Sequence, residues 1–167
     1  MNIKVREIEN DEAEINEAKD FLFDQIDKEY HIGPTPKFHY DIFNLEEYYI
    51  LPAKSKFFVA IDDERIVATA AIRPYDKDYE IFKGIYSSED TASIWRLMVD
   101  KEYRRNGLAR ILVGLMEDFS RDAGYDRIYL HSHRYLDAAI PFWKSMGYEV
   151  TIEEDDYDET THMIKNL

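Results

Sequence analysis

The run Arg104-Arg105-Asn106-Gly107-Leu108-Ala109-Arg110 places three guanidinium groups around a glycine, immediately before a segment of helical periodicity. A helix start leaves its first backbone N–H groups without intrahelical acceptors and carries the positive end of the macrodipole, so an anion is stabilised there. Guanidinium forks suit phosphate oxygens, and a glycine lets the main chain come close to a ligand. The chemistry expected is therefore phosphate or diphosphate binding. Taken alone, the run reads more readily as a charged loop before a helix; its flanking elements reverse that order. The G-x-x-x-x-G-K-S/T signature of nucleotide-phosphate enzymes is absent.

A second group is His131, His133 and Tyr135. At a period of two, the histidines share one face if they lie on a strand. An imidazole with an ordinary pKa of about 6.5 is mostly neutral at physiological pH, so it can take a proton. It can also ligate zinc, but sequence fixes no third ligand, and no metal is expected. The structural alternative is a pair of histidines bonded to backbone at a strand end.

These residues need elements to position them. Residues 3–8 read as a strand and 11–29 as a helix with Ile15, Ala18, Leu22, Phe23 and Ile26 on one face. Gly33, Pro34 and Pro36 read as breaks before a short helical pattern over 43–50. Residues 56–61 and 65–72 form a hairpin pattern. The polar stretch 74–91 carries Tyr75, Tyr79, Phe82, Ile85 and Tyr86, either as a substrate-side loop or as an excursion tucking its rings onto the sheet.

Residues 93–99 are almost continuously apolar, as a central strand is. The helix after the arginine run presents Leu108, Ile111, Leu112, Leu115, Met116 and Phe119 on one side and stops at Gly124. A strand over 127–131, a helix over 136–146 closed by Gly147, and a hairpin of 148–152 with 160–164 complete the pattern. Strand, helix and strand around the arginine run make a βαβ unit, so the sheet is mixed.

The chain has 167 residues, 45% hydrophobic and 34% charged, with 13 tyrosines and 9 phenylalanines, which fits one folded domain rather than a disordered chain. No cysteine is present, which excludes disulfides, thiolate metal sites and a cysteine nucleophile and favours a cytoplasmic location. No secretory signal and no continuous apolar run of membrane-spanning length is visible, so a soluble protein is expected. The net charge of −14 opposes nucleic acid and anionic membranes as partners.

On two motifs the sequence resembles the GNAT superfamily of acyl-coenzyme A dependent N-acetyltransferases. Arg104, Gly107 and Ala109 meet R-x-x-G-x-A after the strand end Leu97-Met98-Val99, and Ala139-Ile140-Pro141-Phe142-Trp143-Lys144-Ser145-Met146-Gly147-Tyr148 resembles the family's helix ending in Gly-Phe or Gly-Tyr. The resemblance implies an α+β domain spanning 1–167, with a mixed, mostly antiparallel sheet of about seven strands flanked by about four helices. It implies that two parallel strands splay apart at a cofactor cleft, with a bulge at Met98 or Val99.

It further implies acetyl-coenzyme A as co-substrate. Backbone amides of Arg105, Asn106, Gly107, Leu108, Ala109 and Arg110 would hold the diphosphate, with Arg104 beside them. Leu97, Met98 and Val99 would pair with the pantetheine arm, and Ala139, Phe142 and Trp143 would complete the cofactor contacts. The acceptor would be a primary amine of a small molecule or peptide, attacking the thioester directly in a ternary complex. The resemblance allows a homodimer through the carboxy-terminal strands.

Three departures bear on mechanism. Trp143 stands where a tyrosine often serves as general acid, and an indole N–H only donates. Leu136 replaces an asparagine, and His131 replaces a glutamate of several members. His131 then becomes the candidate base, with His133 beside it and Tyr135 as a stand-in acid. The competing reading is a coenzyme A or acyl-coenzyme A sensor without turnover.

Overall fold

The computed structural model describes all 167 residues. The chain divides into two compact units, one of Met1–Arg73 with Trp95–Met116 and one of Pro74–Ile94 with Glu117–Leu167.

The first unit opens with β1 (Ile3–Glu7) and α1 (Glu12–Tyr30). Asp11 caps α1, its carboxylate accepting from the Glu14 N–H at 3.0 Å, and His31 ends it in a left-handed conformation at φ 55°. The expected apolar face is present: Ile15, Ala18, Leu22 and Ile26 are buried, and Phe23 packs partly buried against the same core.

The second helix differs from expectation. It is α2 (Pro36–Phe43), and the 43–50 pattern is instead a π-helical turn over Glu46–Ile50. Pro36 starts α2 rather than breaking it, because proline is suited to the first helical position, where its missing N–H has no intrahelical acceptor to lose.

Strands β2 (Lys56–Asp62) and β3 (Arg65–Pro74) follow, antiparallel to each other, with β1 antiparallel to β2. Ile42, Leu45, Tyr49, Phe57 and Val59 join the buried face of α1 in one core.

Strand β4 (Thr91–Val99) and helix α3 (Leu108–Asp122) run through both units. The second unit adds β5 (Arg127–His133), α4 (Ala139–Ser145), β6 (Glu149–Glu153) and β7 (Thr160–Asn166). The seven strands are ordered β1-β2-β3-β4-β5-β7-β6, with β4 parallel to β5 and with β7 antiparallel to both β5 and β6. This is the mixed α+β sheet expected.

The parallel pairing is short. Thr91, Ala92 and Ser93 lie opposite Arg127, Ile128 and Tyr129. Within β4, Arg96 takes a left-handed backbone conformation at φ 51°. In the stretch after β3, Tyr75 and Phe82 are buried and Tyr79 and Tyr86 half-buried against Tyr129, so these rings cover the sheet of the second unit.

Candidate active site

In the first unit, the turn after β4 is held from three directions. Asp100 donates its backbone N–H to the Val67 carbonyl at 2.9 Å, the Tyr103 hydroxyl donates to Asp62 at 2.8 Å, and the Asn106 side-chain amide donates to the Tyr103 carbonyl at 3.1 Å. Arg105 and Gly107 then take left-handed conformations at φ 64° and 78°. Leu108 is buried and seats the first turn of α3, whose hydrogen bonding begins with the Ile111 N–H on the Gly107 carbonyl at 3.1 Å.

The consequence is a row of backbone donors. The N–H groups of Arg105, Asn106, Gly107, Leu108 and Ala109 have no acceptor within the chain. A Cβ built on Gly107 would meet nothing within 4 Å, and Arg104, Arg105, Asn106 and Arg110 are exposed. Unclaimed donors, positive helix end and surrounding guanidiniums fit a diphosphate.

Arg104 is less free than its sequence position implied. Its Nε donates to the Val99 carbonyl at 3.0 Å, and its Nη2 lies 3.5 Å from the Glu29 carboxylate. The side chain thus fastens the turn to the end of β4. Leu97, Met98 and Val99, the residues expected along the pantetheine arm, are all half-buried.

Directly before them lies a cluster built on Asp41 and Arg96, a pair that sequence reasoning did not single out. Asp41 is fully buried, and its carboxylate accepts from Arg96 Nε at 3.0 Å, Arg96 Nη2 at 2.7 Å and the Tyr49 hydroxyl at 2.6 Å. Burial alone would raise its pKa; the bonds and charge of Arg96 outweigh this and hold it below the ordinary carboxylate value. Arg73, also buried, donates to the Tyr40 hydroxyl at 2.9 Å and lies over the Trp95 ring at 3.8 Å. The nearby His39 has its pKa lowered by burial and by the charge of Arg96.

The second unit carries the imidazoles. His131 and His133 lie on one face of β5 with ring centroids 5.8 Å apart, and the Tyr135 ring stacks on His133 at 5.2 Å. His133 Nδ1 lies 2.8 Å from the Asp158 carbonyl. A carbonyl only accepts, so Nδ1 carries the proton and Nε2 the lone pair of the neutral ring. His131 is half-buried. No group of three or more histidine, aspartate or glutamate side chains is arranged to hold a metal ion.

Opposite His131 across the β5–β7 register is His162, which sequence analysis passed over. Fully buried, it joins the Tyr129 hydroxyl to its Nδ1 at 2.6 Å and Glu154 to its Nε2 at 2.9 Å. Because the carboxylate accepts, Nε2 bears the proton and Nδ1 accepts from Tyr129. Burial drives the Tyr129 pKa far above the ordinary phenol value, so this hydroxyl stays protonated. Period two from His131 back to Tyr129 was the one signal in the sequence.

Helix α4 begins at Ala139. Ala139 and Phe142 are half-buried, whereas Trp143 is 6% exposed with its ring edge-on to Tyr148 at 5.1 Å. Gly147 ends the helix at φ 91°, and the Lys165 ammonium donates to the Met146 carbonyl at 2.8 Å.

The chain is a member of the acetyltransferase (GNAT) family, whose model matches residues 16–148. Human N-acetyltransferase 8 is 29% identical over 111 residues, covering 66% of this chain and 46% of its own length. Rat N-acetylaspartate synthetase is 27% identical over 119 residues, covering 71% of this chain and 36% of its own. The matched region is therefore less than half the length of these relatives. In fold, the chain is similar to PaiA N-acetyltransferase from Thermoplasma acidophilum in complex with coenzyme A, with a TM-score of 0.73 and 16% identity over 100% of both chains. No helix is long and apolar enough to cross a membrane.

Proposed function

We propose that this chain transfers an acetyl group from acetyl-coenzyme A to a primary amine of a small molecule or peptide, residues 1–167 working as one acetyltransferase domain. The observation that carries this reading is the row of five unclaimed N–H groups at the start of α3, in a chain of this family. Arg105, Asn106, Gly107, Leu108, Ala109 and Arg110 hold the diphosphate, and Arg104 keeps the turn in register with β4. Leu97, Met98 and Val99 offer main-chain groups to the pantetheine arm, and Ala139, Phe142 and Trp143 contribute from α4.

Acetyl-coenzyme A supplies an activated acyl group with a thiolate leaving group. The protein must deal with the amine's proton, because an alkylamine of pKa roughly 10 is mostly protonated and non-nucleophilic at neutral pH. His131 serves as the base, directly or through water, with His133 beside it. Tyr135 is the candidate acid for the departing thiolate. That one relative is named as a synthetase of N-acetylaspartate is consistent with an amine acceptor.

The test is release of coenzyme A thiol from acetyl-coenzyme A across a panel of primary amines, with coenzyme A affinity measured in parallel by calorimetry. Turnover with at least one amine supports the assignment. Tight coenzyme A binding with no thiol release across the panel would replace it with a non-catalytic sensor, and no coenzyme A binding would remove both readings.

A further inference from the structure

The acetyl-transfer reading leaves the acceptor's own chemistry open, and Arg96 bears on it. Arg96 stands one residue before Leu97, in a left-handed backbone conformation at φ 51° that side-chain-bearing residues seldom adopt, least of all within a strand. The Thr69 hydroxyl holds its carbonyl at 2.9 Å, and Asp41 holds its guanidinium. Strain kept in place by such partners marks a side chain that has to point in a particular direction.

The guanidinium is only partly used. Nε donates to Asp41, and Nη2 donates to Asp41 and, at 2.9 Å, to the Phe38 carbonyl. Nη1, with two N–H groups, has no acceptor within the chain, and it is not among the sealed polar atoms. The side chain is 16% exposed, and beside it on α2 the Phe38 ring is 55% exposed. The donor left over therefore faces reachable space.

Two guanidiniums, Arg96 and Arg73, act on the single carboxylate of Asp41. Arg73 donates to the Tyr49 hydroxyl at 3.3 Å and the Tyr40 hydroxyl at 2.9 Å and lies over the Tyr48 and Trp95 rings. His39 adds no negative charge. A carboxylate is the ligand that matches a spare guanidinium donor.

We propose that Arg96 anchors a carboxylate of the acceptor, so that the acceptor is an amino acid or another small amine that also bears a carboxylate. Such a molecule suits both fields: its ammonium is drawn by the acidic chain, and its carboxylate by the local guanidinium. Because Arg96 adjoins Leu97, Met98 and Val99, the anchor sits beside the strand residues assigned to the pantetheine arm. This inference rests on the acetyl-transfer reading above.

The experiment compares kcat/KM for amino acids and their carboxamides in the wild-type protein, in Arg96→Lys and in the double variant Arg96→Gln with Asp41→Asn. The lysine can still pair with Asp41, and the double variant removes the charges of Arg96 and Asp41 together, so neither leaves the other unpaired. Coenzyme A binding by calorimetry reports that each variant is folded. The wild type should favour acids over amides by about ten- to a hundredfold, the range of a charge-assisted hydrogen bond. Both variants should bring that ratio close to one.

Equal use of acids and amides by the wild type, or a preference that survives in Arg96→Lys, overturns the proposal. If coenzyme A binds and no amine is acetylated, the acetyl-transfer reading fails by itself. The anchor is then judged by binding of N-acetyl amino acids against N-acetyl amino amides to the coenzyme A-loaded protein. Selective binding of the acids that Arg96→Lys abolishes supports it, and equal or absent binding overturns it.

Discussion

Arg104 reaches back five residues and donates its Nε to the Val99 carbonyl at 3.0 Å. A residue whose sequence position suggested a phosphate fork thereby joins the last residue of β4 to the turn that opens α3. Its role can be separated from simple charge. Arg104→Lys keeps the positive charge but cannot reproduce the planar fork, whereas Arg104→Gln loses the charge. If fastening dominates, both variants should weaken coenzyme A binding by a similar factor, about tenfold for a lost hydrogen bond to a charged group. Calorimetric affinities decide: recovery of wild-type affinity in Arg104→Lys would leave charge as the whole contribution.

Gly107 separates backbone strain from ligand exclusion. At φ 78°, with no atom within 4 Å of the place a Cβ would take, an alanine side chain would meet open space. Its cost is conformational, about 1 kcal/mol, and should lower Tm by about 2–4 °C in a chain of this length. Gly107→Glu should bear a similar strain yet abolish coenzyme A binding, because its carboxylate would stand among the unclaimed donors and repel the diphosphate. Thermal melts and calorimetry on both variants check the pair, and retained binding in Gly107→Glu would displace the diphosphate from this turn.

What the sequence made legible follows physical range. Helix α3 was readable because its apolar period, its opening glycine and the stop at Gly124 are all local. The buried face of α1 was readable for the same reason. Helix α2 was misplaced because proline has two opposite local meanings, and only the tertiary setting of Pro36 chooses between them. The Asp41–Arg96 pair joins residues 55 apart in sequence, and the chain from Tyr129 to His162 to Glu154 joins three separate segments. No periodicity encodes such meetings. The left-handed Arg96 was invisible too, since an arginine in an apolar strand gives no sign of its φ.

Acid sensitivity should be concentrated at Asp90. Its carboxylate accepts from the Thr91 hydroxyl at 2.7 Å and the Ser87 N–H at 3.2 Å, and Arg127 lies 3.2 Å away. Led by the Thr91 bond, these partners lower its pKa to about 2. A carboxyl group depressed on folding contributes stability that is present above its unfolded value of about 4 and lost as pH falls through the folded value. The wild type should therefore lose stability from about pH 4 down to about pH 2. Asp90→Asn should flatten that limb while keeping its side-chain carbonyl as acceptor. Urea midpoints measured across this range test it; an unchanged slope in Asp90→Asn would assign the acid limb to other carboxylates, with the buried Asp41, lowered by Arg96, first among them.

His131 is separable from its neighbours by kinetics. If it takes the amine's proton, His131→Ala should reduce kcat by about 10²–10⁴, the usual contribution of general base catalysis, and change KM for acetyl-coenzyme A little. The loss should shrink as pH rises, since free amine becomes more abundant without help as its pKa is approached. His162→Ala gives the contrasting pattern. It strips the buried Tyr129 hydroxyl of its acceptor, so its main effect should be on stability, about 1–3 kcal/mol in urea unfolding. A pH–rate profile for His131→Ala parallel to the wild type and only slightly lower would transfer the base to another group, with His133 next in line on the same strand face.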